Sequence, residues 1–164
     1  MSDPSAVTGA LETARDAFEY VGHGRPDFEE GIEQDADWTV QLTKACRYLE
    51  ACRLLRERDG YNGACIELCF AATEPTVEAY LLWATDDSLE AFHDYERVYD
   101  RAAAVGLFSP ETAELTELYS RNRTEHYYGG VIPTQQKEDA MYGVAESVHR
   151  FAIDQIREGD VCSC

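Results

Sequence analysis

The sequence predicts an all-α fold, an up-and-down bundle of four to five helices, and three features carry that prediction. Apolar residues recur at helical spacing along nearly the whole chain. Alternating strand patterns bounded by two-residue turns are missing from it. Start and stop residues, among them Gly60, Gly106, Ser109-Pro110 and Gly129-Gly130, fall between the apolar stripes. At 164 residues the chain has room for one ordinary domain with a real core.

Taken in order, Ser5 to Tyr20 reads as a first helix, with Leu11, Ala14, Phe18 and Val21 near helical spacing. The turn-rich, charged segment after it makes residues 1–35 a peripheral acidic arm. The first core helix runs from about Asp37 to Asp59, striped by Trp38, Leu42, Ala45, Leu49, Cys52 and Leu55, and Gly60 stops it. The next apolar stretch carries Cys65, Leu68, Cys69, Ala72, Tyr80, Leu81 and Trp83, and Pro75 inside it predicts a kink or break near Ala72. Asp87 with Glu90 reads as a capping box for a third helix faced by Phe92, Tyr95, Val98, Tyr99 and Ala102. Ser109-Pro110-Glu111 has the cap, first-turn proline and acidic residue of a helix start, followed by a stripe of Leu115, Leu118 and Tyr119. After Gly129, Gly130 and Pro133, a last helix from about Thr134 to Glu158 turns Met141, Val144, Ala145, Val148 and Ile156 inward. The bundle thus spans residues 36–159, and 160–164 form a cysteine-containing tail. His93 and His149 each stand alone in a helical pattern and read as surface or boundary residues.

The net charge is -18, yet 45% of residues are apolar and 11% aromatic, which excludes a disordered acidic chain. Lys44 and Lys137 are the only lysines, and arginine supplies the remaining positive charge. This balance resembles that of proteins from salt-accumulating halophiles, whose carboxylate surface keeps them in solution in molar salt. No apolar run approaches the roughly 18 residues of a membrane span, and the first residues lack a signal peptide's basic-then-apolar order, so a cytoplasmic protein is expected. In that compartment Cys46, Cys52, Cys65, Cys69, Cys162 and Cys164 do not read as a disulfide framework, and most are expected in the core. Cys65 and Cys69 are four apart on one helix face, as two zinc ligands would be, but no second pair follows at finger-like spacing. The terminal Cys162-Ser163-Cys164 is expected to be unburied, either a frayed end or a redox-sensitive or metal-scavenging one.

Chemistry concentrates between Tyr119 and Gly130, where Arg121, Asn122, Arg123, Thr124, Glu125, His126, Tyr127 and Tyr128 gather at a helix end. Asn122 and His126 are four apart and share a face; Arg121 and Tyr128 are seven apart and nearly coincide in direction, placing Arg and His near one edge. Histidine titrates near neutrality and can serve as base or acid, while arginine offers fixed charged donors matched to phosphate oxygens. A base or acid and a cation for a phosphate's charge thus stand together without need of a metal or other cofactor.

The run Arg121-Asn122-Arg123-Thr124-Glu125-His126 resembles the signature of HEPN domains: arginine, a polar residue, a short spacer and histidine. Tyr128, two residues after the histidine, matches the longer form in HepT-like toxins of the MNT/HEPN toxin-antitoxin class. The resemblance covers roughly residues 37–158. It implies a metal-independent endoribonuclease with Arg121, His126 and Asn122 as catalytic residues, acting as a homodimer whose two Arg-His pairs face each other. It also implies a nucleotidyltransferase antitoxin as partner, with Tyr128 as the residue modified. A non-catalytic HEPN adaptor that dimerises and binds such a partner is the alternative, and a thiol or metal protein using the cysteines is a third.

An acidic ribonuclease needs a local cationic path to RNA. Between residues 44 and 58, Lys44, Arg47, Arg53, Arg56 and Arg58 stand against Glu50 and Glu57, a local charge of +3. Arg123, Lys44, Arg47 and Arg53 are therefore candidate RNA contacts, unless these arginines serve to neutralise carboxylates on neighbouring helices.

Overall fold

In the computed structural model the residues described are 4–19, 28–130, 132–156 and 164, and every regular element among them is helical. Val21 and Cys162 lie outside them, as do the side chains of Tyr95, Glu117, Leu118 and Tyr119. The helices are α1 (Pro4–Phe18), α2 (Asp37–Arg56), α3 (Asn62–Ala84), α4 (Tyr95–Ala104), α5 (Pro110–Tyr128) and α6 (Gln135–Ile156), with a 3-10 turn at Leu89–Phe92 before α4. The all-α bundle expected from periodicity is present. The chain divides into two compact units, Met1–Glu30 and Gly31–Cys164. The first carries α1; everything below concerns the second.

Its middle is α3, which packs against α2 on one side and α6 on the other. The residues of α3 explain that place. Cys65, Ile66, Cys69, Phe70, Ala72, Val77, Ala79 and Leu81 are all buried, so apolar surface runs most of the way round, as a helix enclosed by others requires. From α2 come Leu42, Ala45, Leu49 and Cys52, the stripe its sequence predicted. Three core clusters result: one joins the end of α3 to α4, one holds the middle of α2, α3 and α6, and one closes the far end around Leu42, Ala79 and Ile156.

Three local expectations are corrected. Pro75 does not end α3, which runs unbroken from Asn62 to Ala84. A helix interior proline costs about 3 kcal/mol, and burial of Phe70, Val77 and Leu81, at roughly 2 kcal/mol each, outweighs it. The hydroxyls of Thr73 and Thr76 on either side donate to the carbonyls of Cys69 and Ala72, both at 2.8 Å. Second, Asp87 caps nothing: its carboxylate receives the guanidinium of Arg101 at 2.7 and 3.3 Å, and α4 begins only at Tyr95. Third, α6 turns differently from its predicted stripe, with Val144 exposed and His149 and Ala152 buried beside Ala145 and Ile156.

Other punctuation, Gly60 apart, stands as read. Ser109 Oγ accepts from the backbone N–H of Thr112 at 3.2 Å with Pro110 in the first turn. Gly106 takes a φ of 79°, the left-handed conformation that ends a helix, whereas α2 already ends at Arg56 with Glu57 as its cap, and Gly60, with φ of 91°, turns the chain after it rather than stopping it. No helix among the described residues is long and apolar enough to cross a membrane.

Candidate active site

α5 comes to the bundle differently from α2, α3 and α6. It packs against α4, and Leu115, the residue of its stripe whose side chain is described, is left 64% exposed. Further along, polar side chains make the connection to α3. His126 Nε2 lies 3.2 Å from Glu67 Oε1, within ion-pair reach when the ring is protonated. Arg123 pairs with Glu74 and its guanidinium stands 5.9 Å from the Phe70 ring centre.

These contacts flank a cleft of about 230 Å³ lined by Ile66 and Phe70 of α3, Asn122, Glu125 and His126 of α5, and Lys137, Ala140 and Met141 of α6. Its floor is apolar, and four polar groups converge on it from α5 and α6. The His126 side chain is only 12% exposed, with its ring 6.4 Å from that of Phe70. Apolar walls strengthen electrostatic interactions at such an imidazole. Gly129 ends the helix here, donating its N–H to the carbonyl of Glu125 at 2.8 Å, and Gly130 turns the chain away with φ of 62°.

Asn122 and His126 share the cleft, as their spacing predicted. Arg121 does not: it is exposed and outside the lining. At about 100° per residue, five positions separate Arg121 from His126 by roughly 140° around the helix, so within one chain they cannot face one edge. Arg123, three residues before His126, is the arginine that turns toward α3. Tyr128 is 80% exposed and meets Tyr127 edge-on, with ring centres 4.7 Å apart.

The residues of α3 that receive α5 went unnoticed in the sequence. Glu67, Glu74 and Glu78 are the helix's only charged side chains, at spacings of seven and four that align them on one face. A carboxylate row on an otherwise uncharged helix is itself a signal that polar partners approach that face. Burial raises the pKa of Glu74, against the opposing effect of Arg123. Burial likewise pushes Glu78 up to about 7, although Gln41 Nε2 donates to its carboxylate.

The basic stretch of α2 is dispersed around the helix. Lys44 Nζ donates to Gln41 Oε1 at 3.2 Å, and Arg47 pairs with Glu50 at 2.5 Å. Arg53 reaches α6, donating to Tyr142 Oη at 2.9 Å with Glu146 at 3.6 Å. Arg56 pairs with the buried Glu138 and with Asp139 at 3.1 Å, and stacks over the Tyr142 ring at 4.3 Å. For Arg53 and Arg56 the contacts are those of neutralisation.

The cysteines fall into two groups. Cys52, Cys65 and Cys69 are buried free thiols, with Cys52 Sγ and Cys69 Sγ 3.8 Å apart. Burial pushes Cys65 up to about 12, and Cys52 is raised by its hydrogen bond with Cys69, so both are protonated core residues. Cys46 and Cys164 instead form a disulfide, which corrects the reading of an unburied end, because the last residue is partly buried and joined to α2. His149 is also corrected from surface to core: it is 1% exposed, with Nδ1 2.9 Å from Thr76 Oγ1. Burial, and then the charge of Arg53, lower its pKa to about 4.

No curated protein and no solved structure matches the chain. One family model does, over residues 2–164, and it is described as a domain of unknown function. Since that match spans almost the entire sequence, the chain belongs to the DUF8154 family.

Proposed function

We propose that this protein cleaves RNA by metal-independent transesterification, in the manner of the HEPN domains its motif resembles. The observation that carries the reading is the position of His126, in a cleft with Asn122 and with the Glu67 carboxylate at Nε2. A histidine held against a carboxylate beside an apolar wall is suited to exchange a proton with a bound group. In the proposed step His126 takes the proton of the 2'-hydroxyl. The oxygen attacks the adjacent phosphorus, and the 5'-oxygen leaves with a proton returned by the protonated His126, directly or through water, giving a 2',3'-cyclic phosphate and a 5'-hydroxyl. Asn122 orients the phosphate, and Lys137 at the rim offsets its charge.

Arg121 completes the reading only across a dimer. It is exposed on the side of α5 away from its own cleft, so it reaches the phosphorane of a second copy. Lys44, Arg47, Arg53 and Arg123 are assigned to guiding RNA, Lys44, which donates to a neutral amide, before the three arginines that carboxylates engage. Tyr128, exposed at the helix end, is the proposed residue for modification by a nucleotidyltransferase antitoxin.

A second reading, an HEPN adaptor without catalysis, is favoured by the ion pairs Arg123–Glu74 and His126–Glu67, which tie motif residues to α3. Cleavage of total and transfer RNA in molar potassium chloride with chelator present separates the two. The nuclease reading expects cyclic-phosphate ends, with His126→Ala and Arg121→Ala each slowing cleavage by about 100-fold or more. Glu67→Gln is expected to slow it about tenfold while leaving stability nearly unchanged, since the Glu67 carboxylate is 43% exposed and a pair with one solvated partner contributes about 1 kcal/mol or less. A folded dimer that cleaves nothing leaves the adaptor.

A further inference from the structure

Away from the cleft, three ligating atoms meet where α2, α6 and the last residue converge. Cys46 Sγ, Cys164 Sγ and His149 Nε2 all lie within 4.8 Å of one another. Cys46 is 8% exposed and His149 is 1% exposed, so the group sits inside the bundle's surface. Cys164 is fixed from a second direction, because Arg53 donates to its carbonyl at 2.9 Å while also holding Tyr142.

The histidine's tautomer follows from its neighbour. The Thr76 hydroxyl has one hydrogen and donates it to the carbonyl of Ala72 at 2.8 Å. The same oxygen, 2.9 Å from Nδ1, therefore accepts from the ring. That leaves Nε2 as the ring's lone-pair nitrogen, and it faces Cys164 Sγ at 3.2 Å. A ring whose far N–H is fixed by a protein oxygen while its other nitrogen addresses two sulfurs has the arrangement of a metal-bound histidine.

We propose that Cys46, Cys164 and His149 form a binding site for a thiophilic divalent cation of the zinc class, occupied when the Cys46–Cys164 disulfide is reduced. Two sulfurs and one imidazole suit such an ion, and three protein ligands leave its fourth position to water or another ligand. Disulfide and metal exclude each other, because sulfurs bonded together have no thiolate to offer. A phosphine reductant converts the disulfide to two thiols, taking up the oxygen of one water as phosphine oxide. Zinc then displaces the two thiol protons and binds a dithiolate, neutralising its charge. The chain end is thus fastened to α2 by a covalent bond when oxidised and by a metal when reduced.

The test is a titration of the full chain, reduced with phosphine and freed of reductant under nitrogen, with zinc(II) against a chromophoric chelator. Cobalt(II) serves as the spectroscopic probe. One equivalent is expected to bind, with cobalt giving thiolate charge-transfer absorption and tetrahedral ligand-field bands. Cys46→Ser, Cys164→Ser and His149→Gln should each weaken binding about 100-fold or more. Cys164→Ser alters only the final residue, so it reports on the site even where the buried His149 variant fails to fold. Cys69→Ala, which alters a buried core thiol outside the three-ligand group, should bind as the parent does. Equal binding by the oxidised protein, retention in Cys46→Ser and Cys164→Ser, or loss in Cys69→Ala would each overturn the site.

Discussion

Glu78 illustrates how a single residue on a buried helix sets a pH dependence. Its carboxyl titrates near 7 in the fold because burial opposes its charge. In the unfolded chain it would titrate near the ordinary 4.5. A carboxyl with a raised folded pKa contributes its stability below the unfolded value and loses it as pH rises through the folded one. The contribution of Glu78 to stability should therefore fall between about pH 5 and about pH 8, and Glu78→Gln should remove that component. Partial exposure reduces the effect, so the variant should exceed the parent by about 1–2 kcal/mol at pH 8 and match it near pH 5. Urea unfolding at the two pH values measures this, and an unchanged difference would dismiss Glu78 as its source. None of this could be read from the position of Glu78 alone, since its environment comes from α2. His126 and Asn122 were legible because spacing on one helix is local. The failure of Arg121 to join them was legible too, had the angle around the helix been counted. His149 lay on the Ala145–Ala152–Ile156 face, where its spacing of four and three could have placed it inside.

Among the helices, boundaries set by local chemistry were readable and those set by packing were not. Gly106, Ser109-Pro110 and Gly129-Gly130 act locally, and each punctuates the chain where expected, while α2 ends at Arg56, short of Gly60. Pro75 and Asp87 depend on what surrounds them: enclosure on two sides keeps α3 whole, and Arg101 takes the carboxylate that would have capped. α5 lies at the opposite extreme from α3. Leu115, Tyr127 and Tyr128 are exposed, and polar pairs hold its second half to the bundle. Elements with few buried apolar contacts open first. In native-state hydrogen exchange read by mass spectrometry, α5 amides should exchange ahead of those of α2, α3 and α6 in a monomer. Protection of α5 that grows with protein concentration would show a second copy covering it.

The whole molecule carries -18 charges on 164 residues, and repulsion among them opposes compactness. Salt relieves it, since the screening length falls from about 10 Å at 0.1 M to about 3 Å at 1 M. The thermal midpoint should rise as potassium chloride increases over that range, with most of the gain before 1 M. A flat response in a thermal melt would mean that local pairs such as Arg56 with Glu138 and Asp139 already balance the surface. Charge and fold class were the properties the sequence disclosed most directly, because both are sums over many residues. The link between Cys46 and Cys164 was not, since it joins positions 118 apart that only the tertiary fold brings together.

That separation makes the oxidised chain a closed loop running from Cys46 in α2 to Cys164, and α1 precedes the loop in sequence. A protease that cuts within the loop, for instance at the exposed end of α5, produces a break without releasing a fragment. The nicked molecule keeps its full mass under denaturing, non-reducing conditions and parts into two pieces only after reduction, so damage to the chain would stay hidden until its thiols were freed.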